Sequence, residues 1–402
     1  MEVREGKGRG RLPTGRGRKN ERRLGQERKR VREGDWEGRG GAGGGERARE
    51  KREKPHLFCL SRQNSTGFAP LLLKSPLDLA MTIISHLLEL VLLVEVIVYG
   101  GTLKVEALSM GYYAMQCPMA DIIVRNTVIG ALRKDPTLSG PLLRMHFHDC
   151  FVEGCDGSIL IDSTKDNKAE KDSPANLSLR GYEVIDQAKK GLENQCPGIV
   201  SCADILAMAA RDAVFWAGGP FYEIPKGRKD GRRSKIEDTI NLPPPFFNSS
   251  DLINMFGKHG FNVQELVALS GGHTLGVARC SSFKNRLSKF DSTHDVDPTL
   301  DSSLAKALSK TCSAGDNTEV SFDPTRTTFD NAYYNALRSG RGLLISDQTL
   351  YVSPRTQAIV NAYAMNPAIF FLDFQQAMIK MGLLEVKEDD KGEIRQDCRR
   401  IN

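Results

Sequence analysis

Strand-like alternation is scarce in this chain of 402 residues, no internal repeat is visible, and no heptad runs through it. What remains is a mainly α class, read from apolar residues at helical spacing. No Cys-x2-Cys pair occurs among the nine cysteines, and their spacings are irregular. Zinc is therefore a poor account of the Cys and His present. No apolar run is long enough to span a bilayer as an unbroken helix, so no stable membrane anchor is expected. Tryptophan occurs only twice, and Trp216, which lies beyond the N-terminal region, is expected in the core.

Aliphatic side chains are almost missing from the first 55 residues, where Gly, Arg, Lys and Glu dominate. Such a segment cannot bury enough apolar surface to offset the entropy of ordering, so disorder is expected there. Residues 1–107 hold 22 Lys and Arg against 14 Asp and Glu, whereas the remainder holds 34 against 36. The basic character of the chain belongs to its leader. An Arg/Gly-rich arm can hold RNA nonspecifically, but aromatics are not interleaved with the charges and no nucleic-acid partner is expected. The plainer reading is that residues 1–80 are a leader outside the functional protein. From Met81 an apolar run extends over 87–99 and leads to Val105-Glu106-Ala107, whose small residues fit a cleavage site. Residues 81–107 thus read as a secretory signal and 108–402 as the functional domain. Of the nine cysteines only Cys59 lies upstream of that site, which leaves eight, an even number open to 105 pairings.

Chemistry is densest in Leu143-Arg144-Met145-His146-Phe147-His148-Asp149-Cys150-Phe151-Val152-Glu153-Gly154-Cys155-Asp156-Gly157-Ser158. If Pro141 sits in the first turn of a helix, Arg144 and His148 are i and i+4 and share a face. A neutral imidazole moves protons near pH 7, and a guanidinium beside it stabilises negative charge as it develops. His146 lies two positions earlier, roughly 200° around the helix, and points away.

This stretch resembles the distal-haem signature of the secretory (class III) plant peroxidases, and the resemblance extends from about Gly111 to Cys398. Cys117-Pro118, Cys196-Pro197-Gly198-Ile199-Val200-Ser201-Cys202-Ala203-Asp204, Leu269-Ser270-Gly271-Gly272-His273-Thr274, Phe329-Asp330-Asn331 and Ser346-Asp347-Gln348 agree in order and spacing. The resemblance implies a disulfide-stapled haem peroxidase fold with haem b between a distal and a proximal helical half. It pairs Cys117 with Cys196, Cys150 with Cys155, Cys202 with Cys398, and Cys280 with Cys312. His273 becomes the axial ligand, Asp347 stands against its other ring nitrogen, and Gly271 and Gly272 allow close backbone approach. Arg144, Phe147 and His148 become the catalytic distal residues, with Asn176 fixing the His148 tautomer. The activity implied is reduction of hydrogen peroxide to water, with one-electron oxidation of phenolic donors through ferryl intermediates.

Two calcium ions are implied as well. Asp149, Asp156 and Ser158, with backbone oxygens of Val152 and Gly154, look like a loop of hard oxygen ligands, which Glu170 meets through water. The second set is Thr274, Asp323, Thr325, Thr328 and Asp330, in a segment one residue shorter than the family's common spacing. Pro243, in the long Gly219–Asn248 stretch, either offers its carbonyl to aromatic substrates or belongs to a rigid surface turn.

Helices are expected over 120–132, 182–194, 201–217, 251–259, 263–269, 302–309, 331–337, 353–364 and 369–381, with Ser201/Asp204 and Asn262/Glu265 at capping-box spacing. His259 and His294 read as structural or surface residues. Asn248-Ser249-Ser250 is a glycosylation sequon in a loop, whereas Asn176-Leu177-Ser178 conflicts with a pocket role for Asn176. The chain stops four residues after Cys398, without the extension of vacuolar relatives, so extracellular delivery to the cell wall is expected, and with no heptad or large apolar run a monomer is expected. Two rivals stand beside the enzyme: a wall-binding or peroxide-sensing module of the same fold, and a zinc hydrolase built on His146 and His148.

Overall fold

The computed structural model describes residues 84–87 and 108–402. The chain divides into two units, Met1–Ile84 and Ser85–Asn402. The fold below belongs to the second. The leader expected at 1–80 and the signal at 81–107 lie outside the described residues, except for a helical turn at 84–87.

In α1 (Ala120–Lys134), Ala120, Val124, Val128 and Leu132 recur every fourth position and form one buried stripe. It packs on α3 (Tyr182–Gln195) and on α4 (Cys202–Trp216). Pro141 sits in the first turn of α2 (Ser139–Val152), where its missing N–H has no intrahelical role. That helix lies along α4, which is buried on every side from Cys202 to Val214. Only half of the capping box expected there forms: Ser201 accepts from the Asp204 N–H, while Asp204 itself turns to Tyr113, Gly227 and Arg228.

The other half of the unit carries α5 (Ser249–Lys258), α6 (Val263–Ser270), α7 (Ser302–Cys312), α8 (Ala332–Arg338), α9 (Ile345–Val352), α10 (Gln357–Met365) and α11 (Pro367–Met381). At α6 the Asn262–Glu265 capping box is complete. Helix α11 packs on α6 and α10, and α10 also packs on α8. The described residues contain one sheet, in which β1 (Val277–Arg279) pairs antiparallel with β2 (Glu319–Ser321), Ala278 opposite Val320. A small apolar cluster under this ribbon, including Phe283, Leu308 and Leu343, is separate from the main core.

Besides the half-formed capping box, two expectations differ from the structure, and one helix was not expected. Trp216 is 42% exposed, because α4 emerges from between its neighbours after Val214, and its ring lies under the Arg133 guanidinium. The helix expected from Ser353 begins only at Gln357, since 353–356 form a turn, and the sequence reading missed α9 entirely. All four cysteine pairs implied by the resemblance are disulfides. Among the described residues, no helix is long and apolar enough to cross a membrane.

Candidate active site

One turn of α2 brings Arg144 and His148 together, with Arg144 Nε donating to His148 Nε2 over 3.0 Å. The same guanidinium donates to Ser178 Oγ and the Ala175 carbonyl, so three bonds hold its plane. On the far side of the imidazole, His148 Nδ1 lies 2.5 Å from Asn176 Oδ1, and Asn176 Nδ2 donates to the Glu170 carbonyl at 2.7 Å. Asn176 is thereby oriented with its oxygen toward the ring, which places the proton on Nδ1 and leaves Nε2 as the acceptor of the Arg144 bond. Burial, then the Arg144 charge, and more weakly His273 hold the His148 pKa well below the usual imidazole range. Burial also brings the Arg144 guanidinium down to about 10, still charged at neutral pH. Phe147 is half-buried and packs its ring against Phe151 and Phe256.

His146 faces the other way. It is buried with Nδ1 3.6 Å from Cys150 Sγ, and burial and Arg228 push its pKa to about 3. His146, Cys150 and Cys155 converge, but both sulfurs belong to one disulfide and neither is a thiolate ligand.

His273 sits in the 3-10 turn Gly271–Thr274 that follows α6. A Cβ at Gly271 would meet Tyr334 Oη at 2.2 Å, so only glycine allows this turn to press against α8. His273 Nδ1 lies 2.7 Å from Asp347 Oδ1, and the same oxygen accepts from Tyr333 Oη at 3.0 Å. The second oxygen, Oδ2, accepts from the Leu344 N–H at the start of α9. Phe322 stacks on the imidazole with centroids 4.3 Å apart. Although Nδ1 is anchored, the side chain is 38% exposed, and among the described residues no hydrogen bond reaches Nε2.

Asp149, Asp156, Ser158 and Glu170 are all buried around the turn after α2. Asp149 accepts from Gly157 and Ile159, and Asp156 accepts from Ser158 N, yet among the described residues both oxygens of Glu170 and the hydroxyl of Ser158 have no hydrogen-bond partner. Desolvation first, then neighbouring carboxylates, raises Asp149 well above its usual range and Glu170 to about 9, while desolvation brings Asp156 to about 6. Gly154, at φ +96°, lies so close to Glu385 that a Cβ would fall 2.5 Å from its carbonyl oxygen. The carbonyl of Val152 accepts from Asn241 Nδ2, and that of Gly154 from Asp156 N.

In the His273 turn, Thr274 Oγ1 reaches both Asp323 Oδ2 and Asp330 Oδ1, and Thr325 Oγ1 reaches Asp323 and Asp330 as well. Thr328 is exposed, with its N–H bonded to the Thr325 carbonyl. Pro243 is half-buried, and the Pro245 carbonyl accepts from Ser346 N, which joins this loop to the helix that carries Asp347. Asn248 is exposed and caps α5, whereas Asn176 is buried. His259 is half-buried against Phe151, and His294 is exposed in a turn with Asp291.

Sequence reasoning missed Tyr333, Phe322 and Ser178. Tyr333 lies two residues after Asn331 and Phe322 just before Asp323, but only the fold brings them to His273 and Asp347.

Residues 124–366 match the family model described as Peroxidase. The chain is 64% identical over 318 residues to Peroxidase 47 of Arabidopsis thaliana, covering 79% of this chain and 96% of that protein. It is 51% identical to Arabidopsis thaliana Peroxidase 64 over 79% of this chain and 99% of the relative, and 45% identical to Peroxidase 1 of Oryza sativa subsp. japonica over 72% and 92%. Similarity of that extent agrees with the two histidine environments, and the chain therefore belongs to the class III plant peroxidase family, haem oxidoreductases that reduce hydrogen peroxide at the expense of a reducing substrate.

Proposed function

We propose that residues 108–402 are a secreted, monomeric peroxidase that holds haem b through His273, binds two calcium ions and oxidises small phenols. The carrying observation is the contrast between the two imidazoles. His273 has one nitrogen bonded to a buried carboxylate and the other without a partner among the described residues, which is the donor set of an axial ligand. His148 is likewise anchored through Nδ1, but to a neutral amide oxygen, and its Nε2 accepts from a guanidinium.

Haem would supply the redox centre that accepts oxidising equivalents from peroxide and passes them to donors one at a time. His148 Nε2 takes a proton from hydrogen peroxide and returns it to the departing oxygen. Arg144, steadied by Ser178 and Ala175, stabilises the negative charge of that step. Asn176 keeps the tautomer, and Asp347 keeps His273 aimed and basic. Pro243 stands in the loop tied to α9 and would meet phenols through its carbonyl.

The buried, unpartnered oxygens of Glu170 and Ser158 beside Asp149 and Asp156 suit a hard divalent cation, because burying three carboxylates without one is costly. Thr274, Asp323, Thr325 and Asp330 offer a second oxygen cluster, and Thr328 would contribute only from the exposed edge. Secretion is supported by the four disulfides, which persist in oxidising compartments. We assign residues 81–107 to the signal and 1–80 to a leader outside the working enzyme, which acts in the cell wall.

Haem titration of wild type and His273→Ala, read by the Soret band and by peroxide-dependent oxidation of a phenol, tests the assignment. Wild type should take up one haem and His273→Ala should lose it. Equal haem retention by both would remove His273 as the ligand.

A further inference from the structure

A line of tyrosines leads away from the proximal histidine. Tyr333 stands edge-on to His273 at 6.1 Å between ring centroids, Tyr334 edge-on to Tyr333 at 5.1 Å, and Tyr363 edge-on to Tyr334 at 5.1 Å. All three rings are buried. The line ends at Asp373, whose Oδ2 accepts from Tyr363 Oη at 2.6 Å and from the exposed Gln264 amide at 2.7 Å.

We propose that Tyr333, Tyr334 and Tyr363 form an internal electron-donor path that begins against His273 and ends at Tyr363, whose oxidation releases its hydroxyl proton to Asp373. The path rests on the haem peroxidase reading, which supplies the oxidant.

A phenol that loses an electron must also lose its proton to a nearby base, and the three hydroxyls differ in what they meet. Tyr333 donates to Asp347 Oδ1, the oxygen that backs His273. A proton there would neutralise the carboxylate that anchors the ligand. Tyr334 donates to the Val267 carbonyl, which is no base. Tyr363 alone donates to a carboxylate with no tie to the proximal histidine. The first two rings therefore relay the electron, and the third holds the vacancy.

Hydrogen peroxide takes up two electrons and two protons in becoming two waters. Tyr363 supplies one electron, passed through Tyr334 and Tyr333, while its O–H bond breaks and the proton joins Asp373. A phenol supplies the second electron, with the protons consumed drawn from solvent. The neutral tyrosyl radical is repaired when an external donor gives one electron and the proton returns from Asp373.

Haem-loaded enzyme made with ring-deuterated tyrosine, mixed with one equivalent of hydrogen peroxide without donor and frozen at once, tests the path by electron paramagnetic resonance. The expected result is an organic radical signal that narrows on deuteration. It should vanish in Tyr363→Phe and in Asp373→Asn, while both variants consume peroxide at the wild-type rate. Asp373→Asn leaves every ring in place, so its result does not depend on repacking. Peroxide consumed without a tyrosine signal, or a signal unchanged in either variant, overturns the path and leaves the peroxidase reading standing. Peroxide left unconsumed by wild type overturns both.

Discussion

His146 and His148 are separated by one residue, yet they occupy opposite faces of α2 and differ in every partner. That separation gives a sharp prediction. His148→Leu should keep the Soret band while its reaction with peroxide slows by roughly 100- to 10,000-fold, the usual contribution of a positioned general base. Arg144→Leu should slow the same step less, since it removes charge stabilisation and leaves the proton carrier. His146→Gln should change stability modestly and the rate little. Stopped-flow mixing with peroxide measures all of these, and a wild-type rate in His148→Leu would refute the assigned base. Arg144 and His148 were legible in the sequence because a helix fixes the i, i+4 relation locally. Ser178 was not, because it reaches Arg144 only after the loop beyond α2 folds back.

Among elements, α9 shows how a short helix reaches the site. Its eight residues carry no strong apolar period, so pattern reading passed over them, yet Asp347 projects from its first turn. The approach to α9 is set by Arg286, which is buried, pairs with Asp297 at 2.8 Å and donates to the carbonyls of Gly342, Leu343 and Leu344. Removing one member of such a buried pair leaves the other charge uncompensated. Arg286→Met should therefore cost roughly 3–5 kcal/mol in denaturant unfolding, and it should weaken haem retention as Asp347 loses its bearing. Unchanged stability would mean that the pair is not what holds this approach. The start of helix α6, by contrast, was legible at Val263, because Asn262 and Glu265 satisfy each other's backbone groups within four residues.

For the whole molecule, each proposed calcium cluster adjoins one of the histidines assigned to the reaction, Asp149 beside His148 and Thr274 beside His273. Chelating calcium should therefore lower the melting temperature, weaken haem binding and slow the reaction with peroxide together, and restoring calcium should return all three with a dependence on its concentration. Chelation that lowers only the melting temperature would uncouple the ions from the site. Without the cation, Asp149, Asp156 and Glu170 are left as three carboxylates buried together, and desolvation raises the pKa of each.

What the sequence determined by itself was local or repeated in ordered motifs: most helix spans, the shared face of Arg144 and His148, and, through the family's motif order, the four disulfide pairs. Only the tertiary structure decided the exposure of Trp216, the existence of α9, the stacking of Phe322 on His273 and the file of tyrosines behind it. The reason is one of range. Periodicity and capping act over a few residues along one helix, whereas His273, Asp347, Tyr333 and Tyr363 come from four separate segments. Their distances are set by how α8 packs against the turn that follows α6 and how α9 and α10 pack against α8.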